Sequence, residues 1–520
     1  MKRKSEEPAV LLPEGQIRGE MDHYHVPGFA MAVVDAEEVL YEKTCGVTAI
    51  GAGAGPGPGK VPGTARPVTA DTLFAVASCT KSLTSALISI LADEGVLNYD
   101  VPVKEYVPGF QMADAAASEG LTLRDILCHR SGLGGHDGMW PSDLAPEEFL
   151  YRLRWLEPNR PFRYTAQYSN VMYTAAGYIA AAAAGKPWET LVREKILEPA
   201  GMEQSCFSAA EMHRADDFAR GHLWTGDDWK EMPAWEMKGA EPAASWYTGL
   251  KDMEKWLRIF LGQGTYQGRR ILSDQGIRRM WTLHMPNTFS PWVFPEIPDL
   301  GGYGLGWVVR LYRGRKICYH HGEIEGYCSL QAVIPDLGRG IVILANRHCG
   351  CHGFFYTLLF SALDQMMGVS EVQDLSFWSG RLREADEKRR KDGESPVKHE
   401  NPLPTAPRVE TEQCEGIYDN PAYGEMEIRT EGTELFLYFR DQKVPVLRAE
   451  DGSLYAAGLK EDTLYLDVEL TFSEAAADKT GGICEKKAGV YVKIEPSVRP
   501  VWFKKRIRRE ESKHDKNICP

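Results

Sequence analysis

The chain has 520 residues, of which 43% are hydrophobic and 26% are charged, and its formal net charge is −13. These proportions are typical of a globular protein, and the length exceeds what one hydrophobic core usually serves, so two or three domains are expected. The acidic balance excludes nucleic acid as the principal partner, because phosphate binding requires a basic surface.

The sequence was searched for a secretory signal, a membrane span, a disulfide framework and a metal site, and it predicts none of them. Residues 1–8 carry positive charge but no apolar segment follows them, which predicts no secretory signal. No run approaches the roughly 18 apolar residues of a membrane span. The 11 cysteines are scattered, which favours reduced thiols in a cytoplasmic protein over a disulfide framework. The segment Cys349-Gly350-Cys351-His352 resembles a fragment of a metal site, but no second pair accompanies it, so neither a metal nor another cofactor is expected.

The first predicted elements are a short helix and a β-hairpin. The helix is predicted over 14–27, and two strands rich in valine and aromatic residues follow at 29–35 and 39–44. Residues 51–67 are rich in glycine and proline and lack apolar periodicity, which indicates a surface loop.

The next segment carries a serine and a lysine at the start of an amphipathic helix. Ser78 and Lys81 are three residues apart, so their side chains lie on one face of the helix, one turn apart. An amine kept neutral by desolvation or by a second cation can remove the proton of a serine hydroxyl. The pair alone is weak evidence, because a serine near a helix start is more often an N-cap. The helix is predicted from the spacing of Leu83, Ala86, Leu87, Ile90 and Leu91, with a stop at Gly95.

Two later segments supply candidate partners for this serine. A short helix over 121–133 ends in a Ser-Gly turn, where His129 is interpreted as a structural histidine, with a catalytic role as the alternative. Tyr168 and Asn170 precede a helix that starts near Val171. A tyrosine with a lowered pKa can act as general base and then as general acid, and an asparagine can bind both a lysine and a substrate carbonyl. The alternative is that the Tyr-Ser-Asn turn only caps the helix.

The remaining elements of the first part predict an antiparallel sheet. An early hairpin and a late run of strands are separated by helices, which is typical of an α+β domain with an inserted helical domain. The late elements are a helix over 253–261, strands starting at 303 and over 316–320, a strand end with two turn glycines over 320–326, and strands over 327–334 and 340–346.

The last quarter of the chain differs in composition. Residues 376–409 are predicted to be a charged helix and a proline-rich linker. Residues 410–505 contain only strand-like pieces between turns, which predicts a separate all-β module, a small barrel or a sandwich. Residues 506–520 are expected to be a tail, and the domain that precedes the linker is placed at 1–375.

Three motifs stand in one order and carry a family resemblance: Ser78-x-x-Lys81, Tyr168-Ser169-Asn170 and His320-His321-Gly322. The set resembles the serine β-lactamase and penicillin-binding-protein superfamily, in the branch that holds class C β-lactamases, D-aminopeptidases and family VIII carboxylesterases. The resemblance covers roughly residues 14–365. The C-terminal module resembles the lipocalin-like barrels appended to some of these peptidases. Supporting motifs are Thr72-Leu73-Phe74, His129-Arg130-Ser131-Gly132-Leu133 and Tyr303-Gly304-Leu305-Gly306-Trp307.

The resemblance implies a role for each motif residue. Ser78 would form the acyl-enzyme, and Lys81 and Tyr168 would share its proton. His320 stands where the β-lactamases place a lysine, and a neutral imidazole holds the carboxylate of a penicillin less firmly. The resemblance also implies that Asn170 orients Lys81 and the acyl group. The backbone N–H groups of Ser78 and Glu323 would form an oxyanion hole. His321 and Gly322 would line the substrate cleft, which the side chains of His321 and Glu323 would narrow.

The predicted function is therefore a cytoplasmic serine hydrolase that acts on a small ester or amide, as an esterase or a D-amino-acid amidase or peptidase. No cofactor, nucleic acid or membrane span is expected, and a homo-oligomer is left open. Three alternatives remain: an acyltransferase that uses the same acyl-enzyme, a β-lactamase or DD-peptidase, and a catalytically silent binding protein of the same fold.

Overall fold

The structure is a computed structural model in which the chain divides into two compact units, residues 1–398 and 399–520. The predicted linker over 392–409, most of the loop at 51–67 and all but the first residue of the tail at 506–520 lie outside the described residues. The residues that the structure describes are 12–50, 65–140, 143–234, 236–286, 294, 296–298, 300–348, 350–369, 375–391, 414–440, 442–448, 454–461, 464–473, 489–492, 494–495 and 498–506.

The first unit contains an antiparallel sheet of eight strands. Its strand order is β2-β1-β14-β13-β12-β11-β10-β9, and the short strands form the pairs β3-β6, β4-β5 and β7-β8. The strands are β1 Gly28–Val34, β2 Val39–Gly46, β3 Phe74–Ala75, β4 Gly221–Trp224, β5 Trp229–Met232, β6 Tyr247–Thr248, β7 Thr265–Tyr266, β8 Arg269–Arg270, β9 Met285–Pro286, β10 Gly301–Tyr303, β11 Val308–Tyr312, β12 Arg315–Ile324, β13 Tyr327–Ile334 and β14 Arg339–Ala345.

The N-terminal hairpin and the late strands join in this sheet, as the sequence predicted. Phe29 of β1 pairs with Ala345 of β14, and Val34 pairs with Gly340. Every residue of β1 is buried, because both faces of the sheet are covered. Most of the helices lie between β2 and β9 in the chain, which confirms the predicted α+β organisation with an inserted helical region.

The helices pack on the sheet and on one another, and α11 lies against β1, β13 and β14. The charged helix predicted ahead of the linker is α14, Leu375–Lys391, and its Trp378 and Leu382 are buried where it packs against α13. The helices are α1 Glu14–His23, α2 Thr80–Asp93, α3 Ala115–Gly120, α4 Leu123–Leu127, α5 Pro146–Arg152, α6 Asn170–Ala184, α7 Trp188–Val192, α8 Glu198–Ala200, α9 Ala209–Met212, α10 Glu241–Ala244, α11 Leu250–Leu261, α12 Asp274–Met280, α13 His352–Met366 and α14 Leu375–Lys391.

One predicted turn is a strand. The sequence predicted a strand end with two turn glycines over 320–326, but β12 continues through Gly322 to Ile324. The reason is its register with β13, in which Gly322 pairs with Ser329. Only Gly326 takes a left-handed conformation, with φ +79°, and turns the chain into β13. The single strand predicted to start at Tyr303 is divided into β10 and β11.

The second unit is all-β, and its eight described strands close into a barrel in the order of the chain. Buried apolar side chains alternate along the strands, as at Met426 and Ile428 of β16 and at Leu437 and Phe439 of β17. The strands are β15 Gly416–Asn420, β16 Gly424–Glu431, β17 Glu434–Phe439, β18 Gln442–Arg448, β19 Leu454–Glu461, β20 Leu464–Ser473, β21 Gly489–Val492 and β22 Val501–Lys505.

Candidate active site

Ser78 lies on a half-buried turn directly before α2. It belongs to a 3₁₀ turn, Ala77–Cys79, and Cys79 takes the N-cap position of α2 without a side-chain cap bond. Ser78 is therefore not the cap of this helix. Ala77 has φ +46°, a region that is unfavourable for a non-glycine residue by about 1–3 kcal/mol and that clusters at functional sites.

Lys81 lies one helical turn beyond Ser78 and is fully buried. Its Nζ donates a hydrogen bond to Ser78 Oγ at 2.9 Å and another to the carbonyl oxygen of Ala243 at 3.1 Å. Burial favours the neutral form of an amine, which is the form that can accept a proton. Ala243 lies in α10, more than 160 residues along the chain, and no sequence motif pointed to it.

Tyr168 reaches the same hydroxyl from the loop before α6. Its phenol donates a hydrogen bond to Ser78 Oγ at 3.0 Å, and Lys81 Nζ lies 4.9 Å from the centre of its ring. The helix that follows is capped by Ser169, whose hydroxyl accepts from the N–H of Met172. The structure thus brings Ser78, Lys81 and Tyr168 together. The cap at Ser169 fixes the start of α6, and Tyr168 is the residue directly before this cap.

Asn170 is the first residue of α6 and has an acidic neighbour. Its Nδ2 donates to the two carboxylate oxygens of Asp137, at 3.1 and 3.2 Å. Burial raises the pKa of Asp137 to about 6, while the bond from Asn170 and the charge of Lys81 act in the opposite direction. No sequence motif included Asp137, which begins a short 3₁₀ turn, Asp137–Met139, between two of the motifs.

His320 is a neutral imidazole in the wall of the site. Its Nδ1 lies 2.6 Å from the carbonyl oxygen of His321, so Nδ1 carries the proton, and Nε2 accepts from the Tyr303 hydroxyl at 2.7 Å. Burial, followed by the charge of Lys81, lowers the pKa of His320 to about 3. The ring of His320 is therefore an uncharged hydrogen-bonding group at neutral pH.

His129 supports the loop that carries Tyr168. It is fully buried, has φ +60°, and its Nδ1 accepts the N–H of Ser169 at 3.1 Å. Its ring packs 4.4 Å from the Tyr168 ring and 4.5 Å from the Tyr303 ring, centre to centre. Burial holds the pKa of His129 well below its usual value. These contacts agree with the structural interpretation of this histidine.

Strand β12 passes in contact with the turn that holds Ser78. A Cβ atom on Gly322 would lie 2.1 Å from the carbonyl oxygen of Val76, 2.6 Å from Ser329 Oγ and 3.0 Å from the Ser78 nitrogen. Only glycine allows this approach. The backbone that follows Gly322 therefore runs beside the N–H of Ser78.

The side chains next to Gly322 face the other side of the sheet, because successive residues of a strand alternate. Glu323 pairs with Nε2 of His352 in α13 at 3.1 Å, and the ring of His321 packs 5.1 Å from the His352 ring. This placement differs from the expected narrowing of the cleft by these two side chains. Among the described residues, which exclude Cys349, no cluster of three or more His, Cys, Asp or Glu is placed to hold a metal.

Replacing Gly322 by alanine is expected to lower kcat/KM by about 10²-fold, the effect of a displacement of about 1 Å near reacting atoms. Overpacking at this contact is also expected to lower the free energy of unfolding by about 1–3 kcal/mol. The matched control is Gly19→Ala in α1, where an added Cβ would meet nothing within 4 Å. Steady-state kinetics and denaturant unfolding measure both effects, and wild-type activity in Gly322→Ala would contradict the close contact.

A serine hydroxyl in contact with a buried lysine and a tyrosine, beside an antiparallel sheet with an inserted helical region, defines the class of serine hydrolases with a β-lactamase fold. The chain belongs to the beta-lactamase family, whose model matches residues 14–350. A second model, that of a domain of unknown function (DUF3471), matches residues 400–505. Within the described residues, no helix is both long and apolar enough to cross a lipid bilayer.

Named relatives fall in the same superfamily. An unguisins hydrolase from Aspergillus campestris is 26% identical over 81% of this chain and 78% of its own, and penicillin-binding protein 4 of Amycolatopsis lactamdurans is 29% identical over 66% and 87%. The octameric penicillin-binding protein homologue from Pyrococcus abyssi matches with a TM-score of 0.57 and 21% identity, over 94% of this chain and 98% of its own.

The D-amino acid amidase of Ochrobactrum anthropi matches with a TM-score of 0.53 and 22% identity, over 68% of this chain and 97% of its own. At these identities the solved structures show the fold alone. Together with the family match, the hydrolase relatives make this chain an enzyme of the serine hydrolase class, and the alternative of a silent binding protein is wrong.

Proposed function

We propose that this hydrolase cleaves a small ester or amide through an acyl-enzyme formed on Ser78. The observation that carries the proposal is the pair of short contacts at one oxygen. Lys81 Nζ and the Tyr168 hydroxyl lie 2.9 and 3.0 Å from Ser78 Oγ, within the range in which a base can take a proton from a nucleophile.

In the acylation step, Lys81 takes the proton of Ser78 as Oγ bonds to the acyl carbon. The bond from that carbon to the leaving alcohol or amine then breaks, Tyr168 gives its phenolic proton to the leaving group, and Lys81 passes the serine proton on to Tyr168. The oxyanion of the tetrahedral intermediate would be bound by the N–H groups of Ser78 and Glu323. In the second step, a water molecule gives one proton to the same pair of groups as its oxygen bonds to the acyl carbon. The bond from that carbon to Ser78 Oγ then breaks, Oγ takes the proton, and the acid is released. Atoms and charge balance over the cycle without a cofactor.

The wall of the site supports an ester or amide over a penicillin. The neutral ring of His320 offers hydrogen bonds but no fixed positive charge for a carboxylate. Asn170 would orient the acyl group from its position at the start of α6. Two similar proteins are an unguisins hydrolase and a D-amino acid amidase, and the activity of the second is in keeping with an amide substrate.

The test is a substrate panel combined with active-site labelling. We expect a fluorophosphonate probe to modify Ser78, located by peptide mapping, and we expect turnover of p-nitrophenyl esters or amino-acid amides to exceed that of nitrocefin. A folded protein that neither reacts with the probe nor hydrolyses any ester or amide would overturn the proposal. A competing alcohol or amine in the same assay separates hydrolysis from acyl transfer.

We further propose that the C-terminal barrel is lipocalin-like, since its eight described strands follow one another around the barrel.

Two other properties of the full chain are also proposed, its location in the cell and its assembly. A reducing, cytoplasmic location is supported by the eight described cysteines, all of which are buried thiols. Assembly into a homo-oligomer is a proposal of the same kind, and a described relative, the Pyrococcus abyssi homologue, is octameric. Light scattering of the full chain tests it.

A further inference from the structure

Asp125 is a buried carboxylate that holds two arginines from different segments of the chain. It lies in α4 and has no exposed surface. Its Oδ1 accepts a hydrogen bond from Nε of Arg130, just beyond the end of that helix, at 2.6 Å. Arg163, in the loop that leads to Tyr168, donates to the same carboxylate from Nε at 2.9 Å and from Nη2 at 2.7 Å. One carboxylate therefore ties the loop to the turn after α4.

The carboxylate is itself fixed in place and charged. Asp125 and Thr122 form the capping box of α4, in which the Thr122 N–H donates to Oδ2 of Asp125 at 3.0 Å. Burial acts to raise the pKa of Asp125, but the hydrogen bonds from Arg163, Thr122 and Arg130 hold this pKa below its usual value. Asp125 is therefore ionised at neutral pH, and both arginine contacts are charge-assisted.

Backbone hydrogen bonds join the same two segments on either side of Tyr168. The N–H of Arg163 donates to the carbonyl oxygen of Arg130 at 2.9 Å. Closer to the phenol, the N–H of Gln167 donates to the carbonyl oxygen of His129 at 2.7 Å, and the residue after Tyr168 donates its N–H to Nδ1 of His129 at 3.1 Å. Because His129 directly precedes Arg130, the arginine contacts and the contacts beside Tyr168 belong to one continuous connection.

The loop is held in a conformation that its sequence does not favour. Arg163 has φ +64°, a left-handed conformation that is unfavourable for a residue other than glycine and that persists where the surrounding structure enforces it. Its Nη2 also donates to the carbonyl oxygen of Gly120 at 2.9 Å. The guanidinium contacts, above all those with Asp125, are the interactions that hold this residue in place.

We propose that Asp125 is a positioning residue for Tyr168: by holding Arg130 and Arg163, it fixes the loop at the distance where the phenol reaches Ser78 Oγ. The phenol lies 3.0 Å from Oγ, and a shift of about 1 Å would break this hydrogen bond. The inference rests on the proposed function, because it takes Tyr168 as the group that gives a proton to the leaving group.

A comparison of leaving groups separates the placement of Tyr168 from a general loss of structure. The two substrates are the p-nitrophenyl ester and the ethyl ester of one acyl group, the one that the substrate panel shows to be cleaved best. p-Nitrophenolate departs without a proton, whereas ethoxide needs one, so only the ethyl ester depends on the proton of Tyr168. A smaller fraction of folded enzyme lowers kcat/KM for both esters equally and leaves their ratio unchanged.

We expect Tyr168→Phe to lower the ratio of ethyl-ester to p-nitrophenyl-ester kcat/KM by about 10²-fold or more, and Asp125→Asn to lower it by at least about 10-fold. Arg163→Asn removes the guanidinium but keeps a residue that tolerates left-handed backbone, and it should lower the ratio in the same direction. Because these two residues act through one contact, the double variant should be no worse than the poorer single variant. The matched control is Asp100→Asn, which breaks a two-bond contact with Arg124 of the same helix, at 2.6 and 2.7 Å, and should keep the wild-type ratio.

The inference is overturned if Asp125→Asn keeps the wild-type ratio while Tyr168→Phe lowers it, because Asp125 would then support only the fold. It is also overturned if Tyr168→Phe keeps the ratio or if the wild type cleaves only the p-nitrophenyl ester, since no proton donor would then need placing. Should Asp125→Asn fail to fold, Arg163→Asn decides, and an unchanged ratio in that variant refutes the inference. Failure of the proposed function is distinct, since Ser78 would then remain unlabelled and neither ester would be cleaved.

Discussion

Replacing Ser78 by alanine is expected to lower kcat/KM by at least about 10³-fold, the size of the loss when a nucleophile is removed. The reason is that Ser78 Oγ is the oxygen on which Lys81 and Tyr168 converge. Because Ser78 is half-buried and its hydroxyl does not cap α2, the free energy of unfolding should change by less than about 1 kcal/mol. Steady-state kinetics, probe labelling and thermal unfolding measure the three consequences.

The neighbouring thiol does not offer a substitute nucleophile. Cys79 is fully buried, with its Sγ 3.2 Å from Ser329 Oγ, and burial raises the pKa of the thiol to about 12, so almost no thiolate exists at neutral pH. Ser89→Ala is the matched control: it removes a buried hydroxyl from the same helix, away from the site, and should leave turnover unchanged. Substantial activity in Ser78→Ala would show that the reaction uses another group.

Replacing Lys81 by methionine is expected to lower kcat by about 10³-fold or more, because the group that takes the serine proton is lost. Methionine keeps most of the volume of the buried side chain. The change removes the bond to Ser78 and leaves the carbonyl oxygen of Ala243 without this donor. The loss should appear in single-turnover acylation as well as in steady-state turnover.

Lys251→Met is the control for this substitution, since Lys251 lies at the surface of α11 and pairs with Asp71 at 2.6 Å. It should keep wild-type kinetics. If the acylation rate of Lys81→Met is within about 10-fold of the wild-type rate, the serine proton goes to Tyr168 or to water. Lys81 would then be a positioning residue and not the base.

The electrostatics around Tyr168 follow from burial. Two imidazoles, those of His129 and His320, stand at the ring of Tyr168, and burial keeps both neutral. Neither ring therefore brings a fixed positive charge to the phenol of Tyr168.

Much of the fold could be predicted from local patterns in the sequence. The hairpin of β1 and β2, the buried strand β14 and the amphipathic helices α2 and α11 were predicted, because the 2.0 and 3.6 residue periods of apolar side chains are local properties. The strand conformation at Gly322 was not predicted, since a glycine in the sequence looks the same whether it lies in a turn or in a strand. Pairing with β13 and contact with Val76 decide its conformation, and both partners are remote in the chain.

By itself, the sequence determined that Ser78 and Lys81 share one helix face, because that follows from the geometry of three residues. The tertiary structure alone decided what surrounds them. Ala243 meets Lys81 across more than 160 residues, Asp137 meets Asn170 across 33, and strand alternation turns His321 and Glu323 toward His352. Such contacts depend on how distant elements pack, and no local period or spacing records that packing.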